Sequence, residues 1–482
     1  MSENRVFYWR YFLSEQEVGR IGRRRYLKYA GGIVAVAVVA AAGYGIYEAT
    51  KPTIMPAPTS TPTATKSPTL TPTPTTAPTP TPSPTPTPYS RREMPEFWKG
   101  VMFVQWMLEN SKYIEPGMKE LRKRVPANAI SFFVPYYTES PTSDKIQPIY
   151  DTDQYGTPWY GFKLVESWPP ELIERTLDLA HELGFHVAYW PNVGPVTEGW
   201  PWENALDPVP PVFKAYREFK AEQAELAEKH RCESFWIGNE WNRSYTHGEA
   251  WKRILEAVRA NFSGAIVVEF LYCGIGPWEQ VPTQVDPACF EVMDYMGLSM
   301  NLFPMSHDYN GVETCDPACY SPTVTELAAR WQKPARAIEQ AYRKFRKPII
   351  ITELSAPSYD GAACEDWQYH PSNLSEKRAI DFQEQADAFE ATMRVLTSLE
   401  CIHGVSWNQW NAYEPGLYYA RNVWDYRSIE FQGKPAEKVL KFWYSKRDIR
   451  DGIGLLLTPD GHIDLENLKR ENPLNEQGKS EG

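Results

Sequence analysis

Two apolar runs in this chain each stop at a glutamate. Phe235-Trp236-Ile237-Gly238-Asn239-Glu240-Trp241-Asn242 breaks from apolar residues to Gly-Asn-Glu, with a tryptophan on each side of the break. A strand buried on both faces reads as a continuous apolar run. A carboxylate at the end of such a run therefore sits at the rim of a sheet, where water or substrate reaches it. Pro348-Ile349-Ile350-Ile351-Thr352-Glu353 repeats the pattern. Two buried strands, each delivering one glutamate at its C-terminal end, point to a carboxylate pair over the mouth of a parallel β-barrel.

The chain between these runs supports that reading. Further strand-like runs are Gly100–Trp106, Ala129–Pro135, His186–Trp190, Ala265–Phe270, Tyr295–Ser299 and Gly404–Trp407. Helical periodicity falls between them over 170–183, 212–230, 251–261, 334–345 and 379–399. Counting Phe235–Ile237 and Ile349–Ile351, eight strands alternate with helices, which predicts an α/β chain with a single (β/α)8 TIM barrel over 90–448 and long loops on its top face. Residues 449–482 are polar. They hold one hairpin-like element, Leu455–Ile463, around the turn signal Asp460-Gly461.

The N-terminal part differs in composition. Arg20, Arg23, Arg24, Arg25 and Lys28 precede an apolar stretch from Tyr29 to Tyr47, which at about 19 residues just spans a bilayer. Arg23-Arg24-Arg25-Tyr26-Leu27-Lys28 resembles a twin-arginine export signal. Residues 1–50 are therefore expected to form a membrane anchor or a cleaved signal, with the basic flank staying cytoplasmic. Residues 51–89 are nearly all Pro, Thr, Ser and Ala, an extended spacer reaching roughly 110 Å. Together they place the barrel on the extracellular face, membrane-tethered, or secreted if the signal is cleaved.

The formal net charge is -11, and no basic stripe lies outside the N-terminus, which argues against a nucleic-acid partner. Eighteen tryptophans are a heavy load. They suit a carbohydrate surface, where indole faces stack on sugar C–H faces, and they also suit a large core. None of the seven cysteines forms a C-x-x-C pair and no H-E-x-x-H occurs, so neither a metal nor a cofactor is implied. Cys232 and Cys401 precede the fourth and eighth strands and are not expected to pair with each other. Cys273, Cys289, Cys315, Cys319 and Cys364 are expected in top-face loops, where two disulfides can form and leave one thiol free.

Glycoside hydrolysis needs one carboxylic acid to protonate the leaving oxygen and one carboxylate to attack or stabilise the anomeric carbon, about 5–5.5 Å apart in retaining enzymes. Gly238-Asn239-Glu240 and Thr352-Glu353 resemble the acid/base and nucleophile motifs of the clan A retaining glycoside hydrolases. More narrowly, 95–445 resembles glycoside hydrolase family 113, the β-mannanases. That likeness is carried by Lys99-Gly100-Val101, Ala180-His181-Glu182-Leu183-Gly184, Tyr216-Arg217-Glu218-Phe219, Gly238-Asn239-Glu240 and Gly433-Lys434-Pro435-Ala436-Glu437. The resemblance implies Glu240 as acid/base, Glu353 as nucleophile and Asn239 on the sugar 2-hydroxyl. Two departures fall on substrate contacts: Asn301 stands where the family typically has a Tyr, and Trp190-Pro191-Asn192 follows the third strand.

Trp407, Trp410 and Trp106 are candidate sugar platforms. Tyr137, Asn192, Tyr136 and Trp241 stand at strand ends, and Asn408 either binds a sugar hydroxyl or caps a loop. The expected activity is cleavage of a β-linked polysaccharide, mannan or glucan, in endo mode. The alternatives are a cellulase-like or exo-acting β-glycosidase, and a non-hydrolytic glycan-binding barrel.

Overall fold

The computed structural model describes residues 92–470 apart from 106–107, 153–154, 156–163, 199–200, 272–284, 301–320, 364–378 and 413–427. These residues belong to the second of two compact units, 85–482. The expected membrane or signal segment and the Thr/Pro spacer lie outside the described residues, as do Trp106, Asn301, Cys273, Cys315, Cys319 and Cys364. Among the described residues no helix is long and apolar enough to cross a membrane.

The strands are β1 Trp98–Val104, β2 Ala129–Thr138, β3 His186–Pro195, β4 Ser234–Ile237, β5 Ala265–Leu271, β6 Tyr295–Ser299, β7 Ile349–Leu354 and β8 Ile402–Asn411. Each pairs in parallel with the next, and β1 pairs with both β2 and β8, so the sheet closes on itself. A two-residue strand, Ile146–Gln147, adds antiparallel to the end of β2.

The helices are α1 Ile114–Arg124, α2 Pro170–Glu182, α3 Pro210–Lys229, α4 Gly248–Asn261, α5 Val324–Arg330, α6 Gln332–Phe345, α7 Phe382–Ser398, α8 Pro435–Ser445 and α9 Leu465–Arg470. Helices α2, α3 and α8 open on proline in the first turn, where its missing N–H costs nothing. Helix α5 opens on a capping box between Thr323 and Glu326. The expected hairpin near the C-terminus reduces to one antiparallel bridge, Leu457 to Ile463.

The barrel interior is filled by indoles. Trp98, Trp190 and Trp236 pack with Met102, Val104, Phe133, Val267 and Ile350 in a core of their own, and all three tryptophans are fully buried. Their bulk is accepted by missing side chains opposite. A Cβ on Gly404 would lie 2.2 Å from the Cβ of Trp98, and one on Gly100 would lie 2.4 Å from its Nε1. The larger core lies between barrel and helices, where α3 contributes Val212, Phe213, Tyr216 and Phe219. Much of the tryptophan load is thus structural.

Candidate active site

Strand β4 ends at Ile237, and the backbone then turns through Gly238 with φ +90°. A Cβ there would meet the Tyr245 hydroxyl at 2.6 Å, so glycine is needed for both conformation and space. Glu240 itself adopts φ +57°, a left-handed conformation that costs a non-glycine residue on the order of 1–3 kcal/mol. The turn is held on both sides. The Gly238 N–H donates to the Tyr216 hydroxyl (3.1 Å), and the Tyr245 hydroxyl donates to the Gly238 carbonyl (2.8 Å).

Strand β7 delivers Glu353. Its register against β6 slips, Leu298 pairing with Ile351 but Ser299 with Glu353. This extra residue turns Glu353 toward β6's Ser299. The Ser299 hydroxyl lies 2.8 Å from Glu240 Oε1 and 3.5 Å from Glu353 Oε2. The Trp202 indole donates to Glu240 Oε2 at 2.6 Å, and the Asn408 amide donates to Glu353 Oε1 at 2.7 Å. Both glutamates are partly exposed. Burial pushes both carboxyls above the usual range, and at Glu353 repulsion from Glu240 adds to it. Two like charges this close resist ionising together, so the pair retains a proton toward neutral pH.

A third carboxylate, Glu269 of β5, is fully buried in the same cluster. One oxygen from each of Glu240, Glu269 and Glu353 lies within 4.8 Å of the others. Behind it is a buried ion pair. Lys220 Nζ donates to Glu203 Oε1 at 2.9 Å, with both side chains fully buried, and also to the Pro191 carbonyl. Tyr216 donates to Glu203 Oε2 at 2.7 Å. The ion pair thereby anchors the loop that carries Trp202 and, through Tyr216, the turn that carries Glu240.

A second carboxylate cluster, Asp360, Asp381 and Glu384, is already engaged. Glu384 accepts the Gly361 and Ala363 N–H groups, and Asp381 caps α7.

The structure brings together Glu240, Glu353 and Asn408. Asn239 is buried, and its amide donates across 3.4 Å to the Pro201 carbonyl. Asn192 is buried, donates to the Trp190 carbonyl and leaves its Oδ1 without a partner among the described residues.

Several expected contacts are corrected. Trp407 is fully buried and stacks on Phe389 of α7 at 3.5 Å, because the outward parity it shares with Val405 turns it into the helix layer. Trp410 is also fully buried, edge-on to Phe431 and beneath Arg124. Neither presents a face to a sugar. Tyr137 is buried and donates to the Val165 carbonyl, fixing a loop. Tyr136 binds Gln223, and Trp241 packs on Phe213 and Tyr216. Cys232, Cys289 and Cys401 are free thiols, so Cys289 joins no disulfide.

Ser299, Trp202 and Glu269 escaped the sequence reading. Trp202 lies in a loop with no pattern, and Ser299 ends a short strand. Glu269 did leave a signal, a lone carboxylate within the apolar run Ala265–Leu271.

Comparison with known proteins fits this geometry. No curated protein sequence matches the chain. Among solved structures, a GH113 β-1,4-mannanase in complex superposes with TM-score 0.56 at 18% identity, covering 73% of this chain and all of the other. The GH113 β-mannanase AaManA of Alicyclobacillus acidocaldarius superposes with TM-score 0.53 at 20% identity, covering 72% and 97%. At those identities the likeness shows the fold. The family model described as Glycoside Hydrolase Family 113 matches residues 171–430, more than half of the sequence and the whole span from α2 to beyond β8. The chain is a glycosyl hydrolase and belongs to Glycoside Hydrolase Family 113.

Proposed function

We propose that this hydrolase is a retaining β-mannanase in which Glu353 is the nucleophile and Glu240 the acid/base. The observation that carries the reading is the facing pair at the ends of β7 and β4, with oxygens within 4.8 Å and one serine between them. That closeness suits direct attack. An inverting enzyme needs about 6.5–9.5 Å between carboxyls to admit a water.

In the first step the Glu353 carboxylate attacks the anomeric carbon. The glycosidic C–O bond breaks, and Glu240 gives its proton to the departing oxygen. The product is a glycosyl ester on Glu353. Its formation removes the charge beside Glu240, whose pKa then falls. In the second step the Glu240 carboxylate takes a proton from water, whose oxygen attacks the same carbon and releases Glu353. Two displacements retain the β configuration. The mannanase neighbours support mannan as the substrate.

The test is hydrolysis by the full chain on β-mannan, β-glucan and xylan, beside Glu240→Gln and Glu353→Gln. The reading expects cleavage of mannan, and loss of about 10²–10⁴-fold in rate in Glu240→Gln with an even deeper loss in Glu353→Gln. Proton NMR of the first product reads the anomer. An initial α product, or full activity in either variant, refutes the mechanism. Binding of a polymer without cleavage by the wild type refutes the activity.

A further inference from the structure

Glu269 is the carboxylate of the cluster that the two displacements leave unused. It is fully buried, and neither of its oxygens has a hydrogen-bond partner among the described residues. Its paired neighbour on β6 is Gly297, where a Cβ would sit 2.8 Å from Thr352 Cγ2 and 3.2 Å from Glu269 Cα. With no side chain at 297, Glu269 faces β7 directly.

The groups around it are Glu240, Glu353, Glu203, Lys220 and Tyr245. The cation among them, Lys220, is committed to Glu203 and the Pro191 carbonyl. The Tyr245 hydroxyl is turned to the backbone carbonyls of Gly238 and Glu269. Among the described residues an ionised Glu269 would therefore be a buried charge with neither a free counter-ion nor a donor, beside two further carboxyls. The neutral acid needs only one acceptor for its O–H. Burial and the neighbouring glutamates also push its carboxyl well above the usual range.

A count of donors identifies that acceptor. Glu240 accepts at both oxygens, from Ser299 and from Trp202. Glu353 accepts from Asn408 at Oε1. Among the described residues its Oε2 has only the Ser299 hydroxyl at 3.5 Å, whose single proton serves the 2.8 Å bond to Glu240.

We propose that Glu269 is a positioning residue that remains a neutral carboxylic acid and donates its O–H, directly or through one water, to the open Oε2 of the nucleophile Glu353. The proposal rests on the assignment of Glu353 made above. Such a donor favours the ionised nucleophile while Glu240 keeps its proton, so three carboxyls work with one negative charge.

Two measurements on the full chain test it. The first is the pH profile of kcat/KM on β-mannan for the wild type, Glu269→Leu and Glu269→Gln. Loss of the donor in Glu269→Leu is expected to move the acid limb, where Glu353 gains its proton, up by about one pH unit. Glu269→Gln restores an N–H donor and should return the limb toward the wild-type position. Equal limbs in all three, or a Gln limb displaced as far as the Leu limb, overturn the proposal.

The second measurement needs no activity and decides alone if Glu269→Leu does not fold. The infrared difference spectrum at neutral pH, wild type minus Glu269→Gln, should contain a protonated-carboxyl absorption beyond those that Glu240 and Glu384 give in both proteins. A difference spectrum with no such absorption overturns the proposal. So does Mn2+ binding that Glu269→Gln abolishes, since the three oxygens would then serve a cation. A wild type that cleaves no polymer defeats the hydrolysis reading instead and leaves the infrared result standing.

Discussion

The Trp202 indole N–H donates to Oε2 of Glu240 across 2.6 Å, from a residue 38 positions earlier in the chain. The bond favours the ionised carboxylate, and burial opposes it. Trp202→Phe keeps an aromatic ring and removes the donor, so the Glu240 pKa rises. The alkaline limb of kcat/KM, where the general acid loses its proton, should move up by about one pH unit. A limb that stays or moves down would show that Glu240 is not the acid or that the indole does not hold it.

The Lys220–Glu203 pair is fully buried on both sides. Removing one partner strands the other charge, at a cost of about 3–5 kcal/mol. Lys220→Met should therefore lower the urea midpoint sharply, and Lys220→Met with Glu203→Gln should recover much of the loss. A double variant as unstable as the single one would argue that packing, not the stranded charge, sets the cost.

Glu384 is buried at the start of α7, and burial pushes its carboxyl to about 8. The folded chain thus binds a proton there that the unfolded chain, with its pKa near the ordinary 4.5, releases. Its stabilising contribution is complete below about pH 4.5 and is lost as pH rises through about 8. The melting temperature should fall between pH 5 and pH 9, and less steeply in Glu384→Gln. Parallel curves for the two proteins would exclude this group as the source.

Gly404 lies against Trp98 inside the barrel. Gly404→Ala forces a Cβ onto the indole stem and should destabilise by about 1–3 kcal/mol through overpacking. A smaller residue at 98 in the same chain should relieve part of it. An unchanged melting temperature in Gly404→Ala would mean that the strand yields at no cost.

The barrel was legible because its strands are β-branched and aromatic runs, and the facing pair Glu240 and Glu353 because each run ends at a carboxylate. Strand β6 matched its expected span, Tyr295–Ser299. Helices α2 and α3 matched to within two residues at each end. What failed was side-chain direction. Trp407 looked like a platform from its place at a strand end, yet Asn408 beside it takes the inward position and reaches Glu353. Period-two parity decides this, and the slip between Met102 and Phe103 against β8 leaves no trace in the residue pattern. Lys220 was hidden for the opposite reason. It stands within the apolar stripe of α3, and a single lysine there looks like a side chain that bends away to water.

The indole plug of Trp98, Trp190 and Trp236 has a consequence for proton traffic. Three buried rings fill the barrel interior, so among the described residues the acidic cluster meets solvent at the strand ends where Glu240 and Glu353 are partly exposed. A glycoside lying across that mouth would slow proton exchange with solvent, so the charge state present when it arrives governs the breaking of the first bond.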